Sequence, residues 1–146
     1  MFKKTNRKGF TLIEMLVVIA IIAVLVAIII PTVTAATGKA QAATDAANLR
    51  SVLGALNSEI MVNNTADTVQ DTINAMDATD SKLHPDAKLY VLYTTPGIID
   101  VYYVDGTNYY GLEYLSDYAQ NGSSSISTAA PTIESGDEWF EVTHND

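Results

Sequence analysis

A chain of 146 residues supports one domain, and without its long apolar N-terminal stretch only a single modest core is left to build. The absence of cysteine excludes a disulfide framework, a thiol nucleophile and a thiolate metal site. Charge is sharply divided: Lys3, Lys4, Arg7 and Lys8 are half of the eight bases, while sixteen of the seventeen acids lie from Thr32 onward against four bases, a balance of −12 that disfavours a phosphate-backbone surface.

Residues 1–9, MFKKTNRKG, are basic and polar, and the 21 residues from Phe10 to Ile30 are apolar but for Thr11 and Glu14. As a helix this segment is about 31 Å long, enough to cross a bilayer. Four bases on its N-terminal flank, with Lys39 the only base soon after, place the N-terminus in the cytoplasm and the acidic remainder outside. Glu14 breaks the pattern, because a carboxylate inside an apolar span costs up to a few kcal/mol on insertion. It either sits at the level of the headgroups or pairs with a positive charge supplied by another chain. An ordinary secretory signal peptide is the competing reading, with Thr34-Ala35-Ala36 as its cleavage site. Glu14 and an uncharged run of sixteen residues, from Met15 to Ile30, weigh against it.

Pro31 lies where the apolar run meets Thr32-Val33-Thr34, and a proline in a continuing helix removes one backbone bond, so a kink or a locally melted turn is expected there. From residue 35 to 62 the pattern is helical again. Ala36, Ala40, Ala43 and Ala47 form a small-residue stripe suited to packing between subunits, and Leu49, Val52 or Leu53, Leu56 and Ile60 form a stripe suited to the chain's own sheet. Asn63-Asn64 makes a credible stop.

Val69, Ile73 and Met76 then predict a short second helix. Lys88–Thr94, Ile98–Val104 and Tyr109–Leu115 read as strands of an antiparallel meander, separated by Thr95-Pro96-Gly97 and Asp105-Gly106-Thr107-Asn108. Asn121–Ser127 reads as an exposed loop, and Glu138–Thr143 as a last strand. All eight tyrosines fall between Tyr90 and Tyr118. Ile99, Val101 and Tyr103, and Tyr110, Leu112 and Tyr114, share the parity of a core face, whereas Tyr102 and Tyr109 have the opposite parity; a sheet built from strand-favouring residues explains the concentration better than a binding surface does.

There is no P-loop, dinucleotide fingerprint, zinc-ligand spacing or nucleophile elbow. Asp77, Asp80 and Asp86 lack the ligand spacing and glycine of a calcium loop and read as a solvated acidic edge. His84 and His144 are far apart. No catalytic, cofactor-binding or metal-binding residues are expected, and the chain does not read as an enzyme.

Lys8-Gly9-Phe10-Thr11-Leu12-Ile13-Glu14, followed by the apolar run and Pro31, resembles the class III signal of type IV pilins and pseudopilins. The resemblance covers about residues 7–50, with Lys39-Ala40, Asp45 and Asn48-Leu49-Arg50 fitting the family's helix continuation. It implies cleavage after Gly9 by a prepilin peptidase, N-methylation of the new terminus at Phe10 and retention of the apolar helix. Glu14 then pairs with the Phe10 amine of a neighbouring subunit, and Pro31 marks the joint of the helix.

The fold expected is α+β, a long N-terminal helix on an antiparallel sheet of three or four strands. Residues 1–9 are the leader, 10–31 the transmembrane and polymerisation helix, 32–62 its amphipathic continuation and 63–146 the globular head. The resemblance implies a homopolymer drawn by pilus assembly machinery from the cytoplasmic membrane into a surface filament, for adhesion, motility, secretion or DNA uptake, with no direct nucleic-acid binding and no cofactor. A type II secretion or competence pseudopilin shares the whole signal. The glycine- and aspartate-rich calcium loop associated with major pseudopilins is missing, as is the C-terminal cysteine pair common in Gram-negative pilins. The remaining alternative is an exported acidic binding domain with an ordinary signal peptide, recognising a surface glycan through its tyrosines.

Overall fold

The computed structural model describes residues 9–62, 66–75, 81–94, 97–132 and 135–142. Among them the elements run α1 (Leu12–Ile60), α2 (Ala66–Ala75), β1 (Lys88–Thr94), β2 (Ile98–Asp105), β3 (Asn108–Gly111), α3 (Leu112–Asn121) and β4 (Glu138–Glu141). The class is α+β, a long N-terminal helix packed on a four-stranded antiparallel sheet. The chain divides into two compact units, residues 1–35 and 36–146.

In the first unit every side chain from Thr11 to Val33 is exposed. A helix that is apolar on all sides has no single face to turn toward a core. The segment is long and apolar enough to cross a membrane. Helix α1 continues through Pro31. Proline supplies no N–H to the carbonyl one turn earlier, and the hydroxyls that follow engage the neighbouring carbonyls: Thr32 Oγ1 donates to Ile29 O at 2.8 Å and Thr34 Oγ1 to Ile30 O at 3.0 Å.

In the second unit the remainder of α1 buries Ala42, Asp45, Ala46, Leu49, Val52 and Leu56, a set offset by 0, 3, 4, 7, 10 and 14 residues that falls on one helical face. The leucine-rich stripe therefore packs on the chain's own sheet as its spacing indicates. The alanines divide: Ala42 and Ala46 are buried in the head, while Ala36, Ala40, Ala43 and Ala47 are exposed. Val69 and Ile73 of α2 join the same core.

The sheet order is β3-β2-β1-β4, with every neighbouring pair antiparallel. Strand β1 lies inside the sheet and buries residues of both parities, Val91 and Leu92 among them. Ile99, Val101, Tyr103 and Tyr110 are buried in the core, the parity the sequence indicates. Gly106 occupies the first central position of the two-residue β2–β3 turn with φ +58°, the backbone region in which glycine alone is at ease.

The expected strand Tyr109–Leu115 is corrected. Pairing stops at Gly111, and Leu112 opens α3, in which Leu115 is fully buried. Leu112-Glu113-Tyr114-Leu115-Ser116 satisfies strand alternation over a few residues, but it begins a ten-residue helix whose Leu, Glu, Ala and Gln favour that state. Gly122, at φ +80°, ends the helix and donates its N–H to Tyr118 O at 2.7 Å, a left-handed C-terminal cap. Lys39 Nζ donates to Gln120 O at 2.9 Å, a cation on the carbonyl end of α3. Asn63-Asn64, Met76, Asp77, Asp80, Thr95-Pro96, Thr143 and His144 lie outside the described residues.

Candidate assembly site

Gly9 and Phe10 precede α1 in non-helical, exposed backbone, and the Phe10 side chain is 81% exposed. The peptide link between them therefore lies outside α1, between two exposed residues.

Thr11 and Glu14 form a reciprocal cap on the helix start. Thr11 Oγ1 accepts from the Glu14 N–H at 3.3 Å, and Glu14 Oε2 accepts from the Thr11 N–H at 2.7 Å and from Thr11 Oγ1 at 2.8 Å. This is a capping box, in which two otherwise unsatisfied backbone donors are served by side chains; loss of such a cap costs about 1 kcal/mol. Glu14 thus has a partner within its own chain. Its sequence signal is Thr11-x-x-Glu14 immediately before an apolar run. Of the residues singled out in the sequence, the structure brings none besides Glu14 into this cap; Gly9 and Phe10 lie just before it, and Pro31 lies further along the helix.

A second carboxylate organises the head. Asp45, on the buried face of α1, is fully enclosed and accepts from Ser81 Oγ at 2.6 Å, Lys82 N at 2.7 Å and Leu83 N at 2.9 Å. Ser81 Oγ in turn accepts from His84 N at 2.9 Å. Asp45 therefore holds the 81–84 turn against the helix, and the His84 ring, stacked on Tyr110 at 3.7 Å, continues that attachment to β3. Burial lowers the His84 pKa, with Asp45 and Asp105 opposing the shift. Nothing in the local sequence distinguishes Asp45 from a solvated acid, since the turn that completes it lies 36 residues away.

An apolar helix capped at its start by a threonine and a glutamate, with an α+β head later in the chain, is an arrangement like that of pilins. Residues 4–30 match the family described as the prokaryotic N-terminal methylation motif. That motif is the class III signal found in type IV pilins and pseudopilins, and the N-terminal segment of this chain is similar to theirs. The signal implies processing by prepilin peptidase and a membrane-anchored precursor. No curated protein and no solved structure matches the chain.

Proposed function

We propose that the chain is a type IV pilin, a structural subunit that polymerises through its N-terminal helix into a surface filament used for adhesion or motility. The observation that carries this reading is the class III signal on a helix whose apolar surface is bare on every side. Each aliphatic side chain withdrawn from water contributes about 1.5–3 kcal/mol, so lipid before assembly and neighbouring helices after it are the surroundings this segment requires.

In this proposal residues 1–9 leave as the leader and 10–31 anchor the precursor. Residues 32–62 continue the helix into the head at 63–146. Cleavage after Gly9 exposes the Phe10 amine, which is then N-methylated. Glu14 leaves its cap on Thr11 to pair with the Phe10 amine of a neighbour. Two unit charges about 4 Å apart at an effective dielectric near 20 attract by roughly 4 kcal/mol, more than the cap contributes, so the exchange favours assembly. Pro31 is the joint of the helix, because the carbonyl one turn before it has no N–H partner.

Intact mass and imaging of the producing cell test the reading together. The mature chain is expected to begin at Phe10 with 137 residues, nine fewer than the 146 encoded, and to form long extracellular filaments that vanish when the gene is deleted. A chain beginning near Ala36 would restore the signal-peptide reading. Short filaments confined to the periplasm would make it a pseudopilin.

A further inference from the structure

The sheet face turned away from α1 carries a set of rings that the core does not use. Tyr90 of β1, Tyr102 of β2, Tyr109 of β3 and Trp139 of β4 point to that side, each half-buried. The Trp139 indole reaches across the strands, with ring centroids 6.3 Å from Tyr90, 6.0 Å from Tyr102 and 5.7 Å from Tyr109. Gly111 makes room for this arrangement, since a Cβ there would stand 3.0 Å from Tyr102 Cε1. The solvent side of an antiparallel sheet is normally polar, so four clustered rings on it call for a partner.

Beside them lies a cleft of about 240 Å³ lined by Tyr90, Val104, Gly106, Tyr109 and Trp139. It falls below the roughly 300–1,000 Å³ of drug-sized pockets and suits one small ring. Tyr90, one of the lining residues, is tied to a polar pair beside the cleft: Tyr90 Oη donates to Glu141 Oε2 at 3.0 Å, and Glu141 Oε1 accepts from Lys88 Nζ at 2.6 Å. Two ligand chemistries use aromatic surfaces of this kind. A quaternary ammonium needs open ring faces around it and no competing cation; here the Lys88 ammonium, bonded to Glu141 beside Tyr90, adds a repelling charge. A pyranose has one flat C–H face for stacking and an edge of hydroxyls for polar groups, which matches a ring-lined cleft with a Tyr–Glu–Lys edge.

We infer that this face is a saccharide subsite, binding an uncharged pyranose ring stacked on Trp139 and Tyr109 with its hydroxyls at the Tyr90–Glu141–Lys88 edge. Burial and the Glu141 hydrogen bond raise the Tyr90 pKa and keep the phenol a donor, while the bonds from Lys88 and Tyr90 lower the Glu141 pKa and keep it an acceptor. The subsite does not require polymerisation, so dispersed chain is enough to test it.

Trp139 is the only tryptophan and reports on the site directly. The full chain, held in a detergent with neither sugar nor choline headgroups, is titrated with neutral hexoses, N-acetylhexosamines, their short oligosaccharides and choline while indole emission is followed. A saturable change with at least one neutral sugar, in the millimolar range or below, is expected. The apparent affinity should fall at least tenfold in Tyr109→Leu and stay unchanged in Tyr118→Leu, whose ring lies on α3, with far-UV circular dichroism confirming the fold. Should Tyr109→Leu fail to fold, saturation-transfer NMR on the unaltered chain decides, and the protons of one C–H face of the sugar must receive saturation from the aromatic resonances. Emission unmoved by every neutral sugar, a response to choline alone, or equal affinity in a folded Tyr109→Leu would overturn the inference.

Discussion

Residues 12–33 and 36–60 belong to one helix, yet the first stretch leaves every side chain exposed while the second buries six residues in the head. The spacing of apolar residues separates them more than their amount does. In the first stretch aliphatic residues occupy every side; in the second they are confined to steps of three and four, with polar residues or exposed alanines between. One stretch is left uncovered by the rest of the chain, and the other completes its contacts within it. Each carries a carboxylate suited to that difference: Glu14 is exposed and capped by a side chain three residues away, whereas Asp45 is enclosed and held by a distant turn.

The largest effect is expected at Glu14 and should not reach the head. Glu14→Ala removes both the cap and the proposed partner of the Phe10 amine; filament number should drop roughly tenfold or more, given an attraction of about 4 kcal/mol. Export, cleavage and the urea midpoint of the head should remain as in the parent. Thr11→Ala separates the two roles, since it removes the cap and leaves the carboxylate, and should cost far fewer filaments. Normal filament counts in a Glu14→Ala strain without any parent subunit would leave Glu14 as a helix cap alone.

Asp45→Ala is the converse. It strands the donors of Ser81, Lys82 and Leu83, and unsatisfied buried donors each cost about 1–3 kcal/mol without adding fully, so the head should lose about 3 kcal/mol. Urea unfolding of the detergent-solubilised chain measures this, and the mature N-terminus should still be Phe10. A loss below about 1 kcal/mol would mean that the 81–84 turn is held by packing instead.

What was legible in the sequence follows the range of the interactions involved. The apolar span, the buried stripe of α1 and the bounds of β1 depend on local period, and the structure has them where the residues indicate. Strand β2 runs one residue past its expected end. The start of α3 is ambiguous in sequence because alternation and helical spacing coincide over Tyr110, Leu112 and Tyr114; the structure resolves it with a helix that ends on the left-handed Gly122. Asp45 was illegible, because its role exists only once the 81–84 turn has folded onto the helix. The gathering of Tyr90, Tyr102, Tyr109 and Trp139 required register as well as parity, and register is not local.

A smaller effect is expected at Gly122. Alanine there must adopt φ near +80°, and its Cβ would lie 3.0 Å from Lys39 Cε, whose ammonium caps Gln120. The lysine end can shift, so the backbone term dominates and Gly122→Ala should cost about 1 kcal/mol. The urea midpoint should fall with an unchanged slope, and a steeper or shallower slope would show that more than the α3 cap had been disturbed.

The smallest effect is a pH dependence that belongs to the head alone. Burial lowers the His84 pKa below its ordinary value of 6.5, and the attractions of Asp45 and Asp105 reduce that shift without reversing it. The folded head therefore binds this proton more weakly than the unfolded chain does. The stability contributed by neutral His84 is fully present above pH 6.5 and is lost as pH falls below that value through the lowered folded one. The carboxylates of Asp117 and Glu141, whose pKa values are lowered by their hydrogen bonds, begin to matter only in the carboxylate range, so the interval from about pH 7.5 to 5.5 isolates the imidazole. Across it the urea midpoint should fall modestly, with a slope no greater than about 1.4 kcal/mol per pH unit. His84→Phe keeps a ring against Tyr110 and carries no proton, so its midpoint should be flatter over the same interval, with His144 common to both chains and cancelling. An identical slope in the two would show that His84 changes charge as readily in the folded head as outside it, and that the Tyr110 stack does not discriminate between its protonation states.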